Sequence, residues 1–131
     1  MGFELQHATT NDAEAISDLD CAVFPEEGMG PSVIRQEISL GWAVVALDQG
    51  EVVGYALVRP GSISDLTRLG VRESHRGKGI GQALLNSCIV HNKGPMMLLV
   101  RKNNKPALDM YLKTGFTIAG TKETSWLMMK I

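Results

Sequence analysis

A chain of 131 residues, 44% hydrophobic and 21% charged, is long enough to bury a core and has the composition of a globular domain. No apolar run approaches the roughly 18 residues of a membrane span, and Cys21 and Cys88 have neither CxxC nor metal-ligand spacing, so no metal is expected. The net charge of −1 conceals a division, −8 over residues 1–60 and +7 over residues 61–131. The basic half suits an anionic ligand. The acidic half suits a cation, or simply attracts the other half.

In chain order, the opening MGFELQHATTNDAE lacks the basic and apolar blocks of a leader, so a cytoplasmic address is expected, with both cysteines as buried thiols. No repeat or linker divides the chain, so one domain over 1–131 is expected. Phe3–Ala8 alternates as a strand. A helix follows, with Asn11 as N-cap, Glu14 three residues on, and Ile16, Leu19 and Val23 as its apolar stripe. PEEGMGP breaks the chain, and Pro31–Leu40 is a second helix with proline where its missing N–H costs nothing. Trp42–Leu47 and Glu51–Val58 flank DQG as a hairpin, and Ser62–Val71 is a third strand in which Gly70 marks a bulge or a close backbone approach.

A helix over about Gly79–Asn92 turns Ile80, Ala83, Leu84, Cys88 and Val90 or His91 inward. Pro95–Val100 is a buried strand. A last helix opens at Asn103 or Asn104 and closes at Gly115, and FTIAG and SWLMMKI end the chain as strands. The fold class is mixed α/β (α+β type), a mostly antiparallel sheet of about seven strands with four helices.

The segment VRESHRGKGIGQALL places Gly77, Gly79 and Gly81 beside Arg76 and Lys78 at a helix start. It is not the GxGxxG of a dinucleotide fold, nor a P-loop, because Gly77-Lys78 is followed by glycine rather than Ser or Thr. Backbone N–H groups at a helix N-terminus, bare of side chains and next to two cations, still suit a diphosphate.

Arg76-x-x-Gly79-x-Gly81 resembles the [Q/R]xxGx[G/A] signature of the GNAT acetyltransferase superfamily, whose members bind acetyl-coenzyme A (acetyl-CoA). LGVRESHRGKGIGQALL is similar to that family's strand, loop and helix, with Ser74 in place of its usual proline. Asn104-x-x-Ala107-x-x-x-Tyr111-x-x-x-Gly115-Phe116 resembles a second signature in the right order. The resemblance implies the GNAT fold and an N-acetyltransferase using acetyl-CoA as cosubstrate. The acceptor would be a primary amine, on a small molecule, a peptide, a protein N-terminus or a lysine.

By the same resemblance Arg76, Gly77, Lys78, Gly79, Ile80 and Gly81 take the diphosphate. A bulged strand at Leu69, Gly70 and Val71 pairs with the pantetheine arm, and Asn104 bonds that arm or caps its helix. Arg101, Lys102 or Lys105 meets the 3′-phosphate or solvent. Tyr111 is the candidate acid for the leaving thiolate, its phenol of about pKa 10 being comparable to a thiol near 8.5. Asp65 is the candidate base, with His75 and Ser125 behind it, and Glu26 and Glu27 are candidates for drawing in a cationic amine. No cysteine lies in either signature, which favours direct attack in a ternary complex over an acyl-enzyme. A silent acyl-CoA sensor is the alternative. No nucleic-acid partner is expected, since residues 61–110 contain no Phe, Tyr or Trp for base stacking. No membrane partner is expected either, and a homodimer is compatible with the sequence.

Overall fold

β-branched and alternating runs become β1 (Glu4–His7), β2 (Trp42–Asp48), β3 (Glu51–Arg59), β4 (Ser64–Val71), β5 (Met96–Arg101), β6 (Thr117–Lys122) and β7 (Ser125–Lys130). In this computed structural model, which describes residues 2–131, they form one seven-stranded sheet in the order β1-β2-β3-β4-β5-β7-β6. Met1, the first residue of the expected domain, lies outside the described residues. Every neighbouring pair is antiparallel except β4–β5. The DQG expected as a turn is a two-residue hairpin, with Gln49 and Gly50 at φ +52° and +82°, the left-handed pair that matches strand twist.

Helices α1 (Ala13–Val23) and α2 (Pro31–Leu40) pack over β2 to β4, while α3 (Ile80–His91) and α4 (Lys105–Lys113) cover the other face. The N-terminal cap differs from the expected Asn11. Thr9 and Asp12 form a reciprocal capping box around a short 3-10 turn, because Thr9 is the last extended residue and its hydroxyl is the first to reach a free amide. Asn104 caps α4 through Ala107 N–H at 3.3 Å, and Gly115 ends the helix at φ +106°.

Two apolar layers result. One joins α1 and α2 to the sheet through Ile16, Leu19, Ile34, Val45, Tyr55 and Leu57. The other joins α3 and α4 through Ile80, Leu84, Leu85, Cys88, Leu98 and Met128. On α3, Ile80, Leu84 and Cys88 face inward as expected, joined by Leu85 and Ile89, while Val90, 71% exposed, and His91 face outward. Cys21 is exposed, not buried, since it follows Asp20 by about 100° around a helix whose Ile16–Leu19–Asp20 face meets the sheet.

Strand β4 departs from expectation at its irregularity. Leu57 pairs with Arg68 and Val58 with Leu66, so the extra residue is Thr67, not the stretch 69–71. Gly70 is explained by close approach, because a Cβ there would lie 2.7 Å from the Tyr55 ring. The extra residue resets the alternation, so Asp65, Arg68 and Gly70 all face α1 and α2.

On that face a buried polar network ties four elements together. The Asp20 carboxylate, fully buried, accepts from the Tyr55 hydroxyl and from Met29 N–H at 2.8 Å, and Arg68 Nε lies 3.4 Å away. Arg68 also donates to Glu27 O at 2.9 Å and stacks on Phe24 with Cζ 4.5 Å from the ring centroid. Ser17 donates to Met29 O at 2.7 Å. The loop between α1 and α2 is therefore held at both ends by groups that have left water and need their partners.

Replacing Arg68 by Met leaves Asp20 buried with neutral donors only. Urea unfolding is expected to report a loss of about 3 kcal/mol, at the low end of what a broken buried pair costs. Burial also pushes the Cys88 thiol up to about 12 from 9.0, and raises the Tyr55 and Tyr111 phenols. A raised folded-state pKa gives stability that is complete below the unfolded value and lost as pH climbs toward the folded one. Denaturant melts should accordingly show stability level to about pH 9 and falling by a few kcal/mol toward pH 12, with a smaller fall in Cys88→Ala.

Candidate active site

The glycine segment forms the mouth of α3. Gly79 is its N-cap at φ +86° and Gly77 sits at φ +76°, conformations that glycine adopts at little cost and other residues only with strain. A Cβ on either would meet nothing within 4 Å, so the space above the loop is open. Among the described residues, the N–H groups of Gly77 to Gln82 have no hydrogen-bond acceptor. Unpaired donors at a positive helix end, with Arg76 and Lys78 exposed beside them, fit the diphosphate of a coenzyme A ligand.

The cradle opens into a cleft of about 880 Å³. Its origin lies in the sheet. Strands β4 and β5 pair only at Ser64–Met96, Asp65–Met97 and Leu66–Leu98, and then part. Beyond that point Leu69, Gly70 and Val71 keep pairing with β3 on one side and line the cleft on the other. A free strand edge in a groove offers backbone donors and acceptors to an amide-bearing arm, which fits the pantetheine of the expected cosubstrate. Asn104, Ala107 and Met110 of the α4 end form the opposite wall, so Asn104 both caps its helix and borders the groove.

Arg76, Gly77, Gly79, Ile80, Gly81, Asn104, Glu26 and Glu27 all line this one cleft. Lys78 is exposed at the loop without lining it. On the α1 side, Phe24, Pro25, Glu26 and Glu27 form the rim. Glu27 is bound by Arg101 and lies 3.8 Å from Arg68, so its carboxylate spans the gap between β4 and β5. Glu26 has no ion-pair partner among the described residues. Arg101 is thus engaged at the rim rather than free for a 3′-phosphate, while Lys102 sits 4.4 Å from the Trp126 ring centroid and Lys105 is exposed. The role of Arg68 escaped sequence reading. It stands in a strand that also carries Ser64, Asp65 and Thr67, so nothing local sets it apart from a surface cation.

Asp65, Tyr111, His75 and Ser125 are placed less simply. Asp65 does not line the cleft. It lies one residue before the last β4–β5 pair, at the closed apex of the gap, on the α2 side. Burial raises its carboxyl above 3.8, Arg59 opposes this, and Glu37 adds to it. Tyr111 does not line the cleft either. It is 7% exposed, packed edge-on against Phe116 at 5.7 Å, and its phenol is pushed upward by burial and by the nearby Cys88. His75 lines the cleft, and both its ring nitrogens are engaged, with Asp48 2.8 Å from Nε2 and Ser74 Oγ 2.9 Å from Nδ1. Ser74, where the family signature has proline, is therefore the partner that orients this ring. Ser125 sits at the start of β7, outside the cleft.

Comparison with known proteins agrees with this geometry. Residues 40–118 match the family described as the acetyltransferase (GNAT) domain. An N-alpha-acetyltransferase of Sulfurisphaera tokodaii is 29% identical over 87% of this chain and 80% of its own length. A mycothiol acetyltransferase of Propionibacterium freudenreichii is 28% identical over 92% of this chain, which spans only 45% of that protein. The crystal structure of PaiA N-acetyltransferase from Thermoplasma acidophilum in complex with coenzyme A superposes with a TM-score of 0.84 at 19% identity, covering 99% of both chains. The fold is shared over the whole chain, the family match covers the cradle, the parted strands and all of α4, and the chain belongs to the GNAT acetyltransferase family.

Proposed function

We propose that residues 1–131 act as a single N-acetyltransferase domain that transfers the acetyl group of acetyl-CoA to a primary amine by direct attack in a ternary complex. The observation that carries this reading is the six-amide cradle opening onto a parted, free strand edge in one cleft. Acetyl-CoA would supply an activated acyl thioester. Held by the Gly77–Gln82 amides, Arg76 and Lys78 at one end and by Leu69–Val71 along its arm, it needs no covalent bond to the protein. Positioning of this kind contributes much of the acceleration in such transfers.

At the rim, Glu26 presents an unpaired carboxylate to an incoming ammonium, and Glu27 holds the two strands at a set separation. The amine must lose its proton before attack. Asp65 is the proposed acceptor, since burial raises its affinity for a proton and it sits at the apex where the strands part. Tyr111 is proposed to stabilise the departing thiolate. Its raised pKa makes full proton transfer to a thiolate near 8.5 unfavourable, so its contribution is a hydrogen bond from a phenol that stays neutral.

Thiol release from acetyl-CoA across a panel of amines and peptides tests the whole reading. Turnover is expected, and tight coenzyme A binding without turnover would leave the acyl-CoA sensor instead. Tyr111→Phe should lower kcat about tenfold to a hundredfold with coenzyme A affinity unchanged. Asp65→Asn should lower kcat by about a hundredfold. Asp65 acts deprotonated, so wild-type kcat/KM gains an acid limb above pH 3.8 that rises with pH and is missing in the variant. Equal pH profiles would remove Asp65 from the mechanism.

A further inference from the structure

Asp65 is a half-buried carboxyl that, among the described residues, accepts no side-chain hydrogen bond and forms no ion pair. A partner nevertheless stands beside it. Arg59 is directly opposite Asp65 in the β3–β4 ladder, and facing side chains of an antiparallel pair lie about 5 Å apart at Cβ. The guanidinium turns the other way. Arg59 Nη2 donates to Glu37 Oε2 of α2 at 2.7 Å, and Glu37 is the more buried of the two side chains, 19% exposed against 59%.

Two acids and one base thus meet beside the apex of the parted strands, and the base is held by the acid that lies outside the cleft. The other charges on this face are already engaged. Arg68, three residues along β4, lies against Asp20 and Glu27, and the residue paired with Asp65 on β5 is the uncharged Met97. Burial therefore disfavours the ionised form of Asp65, Arg59 opposes this without touching it, and Glu37 adds to the effect.

Both departures from this arrangement would harm a proton acceptor. An arginine clamped on Asp65 would lower its proton affinity and cover the lone pairs that receive the proton. With Arg59 absent, an unpaired Glu37 would face Asp65 as a like charge and hold it protonated to higher pH. The triad sits between these limits.

We propose that Glu37 is a positioning residue for acetyl transfer, which holds Arg59 against α2 and so keeps the Asp65 carboxylate uncovered for the proton of the acceptor amine. The proposal rests on the N-acetyltransferase reading with Asp65 as its base. It adds two residues, Glu37 and Arg59, that do not line the cleft.

The test is the pH profile of kcat/KM for the full chain with acetyl-CoA and the amine or peptide that turns over fastest in the panel. Carbon-13 NMR titration of the Asp65 carboxyl in coenzyme A-loaded protein accompanies it, the resonance being the one missing in Asp65→Asn. Glu37→Gln releases Arg59 onto Asp65, so the acid limb and the titration should both move down by about one pH unit, with a lower plateau. Arg59→Met should move both up by about one unit. Arg59→Lys, which keeps the charge, should leave them in place, and the Glu37→Gln/Arg59→Met double variant should fall between the single ones. A role confined to tying α2 to β3 would weaken folding in both single variants with the titration unmoved. That result overturns the proposal and leaves Asp65 as base. Opposite shifts in the titration beside an unmoved acid limb remove Asp65 from the chemistry, and the catalytic role of Glu37 with it.

Discussion

Everything proposed for this chain depends on two parallel strands ceasing to pair. After Leu66 and Leu98 the backbone ladder between β4 and β5 stops, although both strands continue on their other sides with β3 and β7. Interior backbone groups left unpaired are expensive, and natural structures leave few of them. Here they border a groove, next to six further unpaired amides at the mouth of α3. Two sets of unsatisfied donors and acceptors converging on one cleft make a strong physical argument for a ligand rich in amides and phosphate.

What bridges the parted strands at the rim is electrostatic. Asp20 is fully buried, yet its carboxylate meets Tyr55, Met29 and Arg68, so the charge is compensated within the core. Arg68 then carries positive charge to the rim, where Glu27 bridges it to Arg101 on β5. Such a network adds little net stability compared with an apolar core of the same shape. Its use is in fixing geometry, because each group tolerates only a narrow arrangement of partners. The rim is thus tied through Tyr55 to Gly70, whose bare Cα lets the ring approach the strand that lines the cleft.

An apolar block on β5 and β7 lies beside this network. The first two helices shield the sheet as far as β4, and the strands beyond carry large apolar side chains on that face with no helix core to join. The cleft and the block are neighbours because Arg101, Leu99 and Met97 alternate out of one strand. The rim and the block therefore adjoin on the face of α1 and α2, while the cradle at the mouth of α3 belongs to the other side of the sheet.

Sequence alone determined the element order, most helix limits and the cradle, because these rest on local physics. Glycine tolerance of positive φ, proline at a helix start, side-chain caps and the periodicity of apolar residues all act within a few residues. The two spaced signatures carried the family for the same reason, since each occupies one loop and one helix turn. Tertiary structure decided the rest. The extra residue at Thr67, rather than near Gly70, depends on pairing with β3, and one slipped residue reverses which side chains face the groove. The burial of Tyr111, the exposure of Cys21 and the engagement of His75 by Asp48 each follow from a partner distant in sequence. Likewise Arg68 reads as an ordinary surface cation until α1 delivers Asp20 beneath it, for a charge takes its meaning from what shares its dielectric, and only the folded chain settles that.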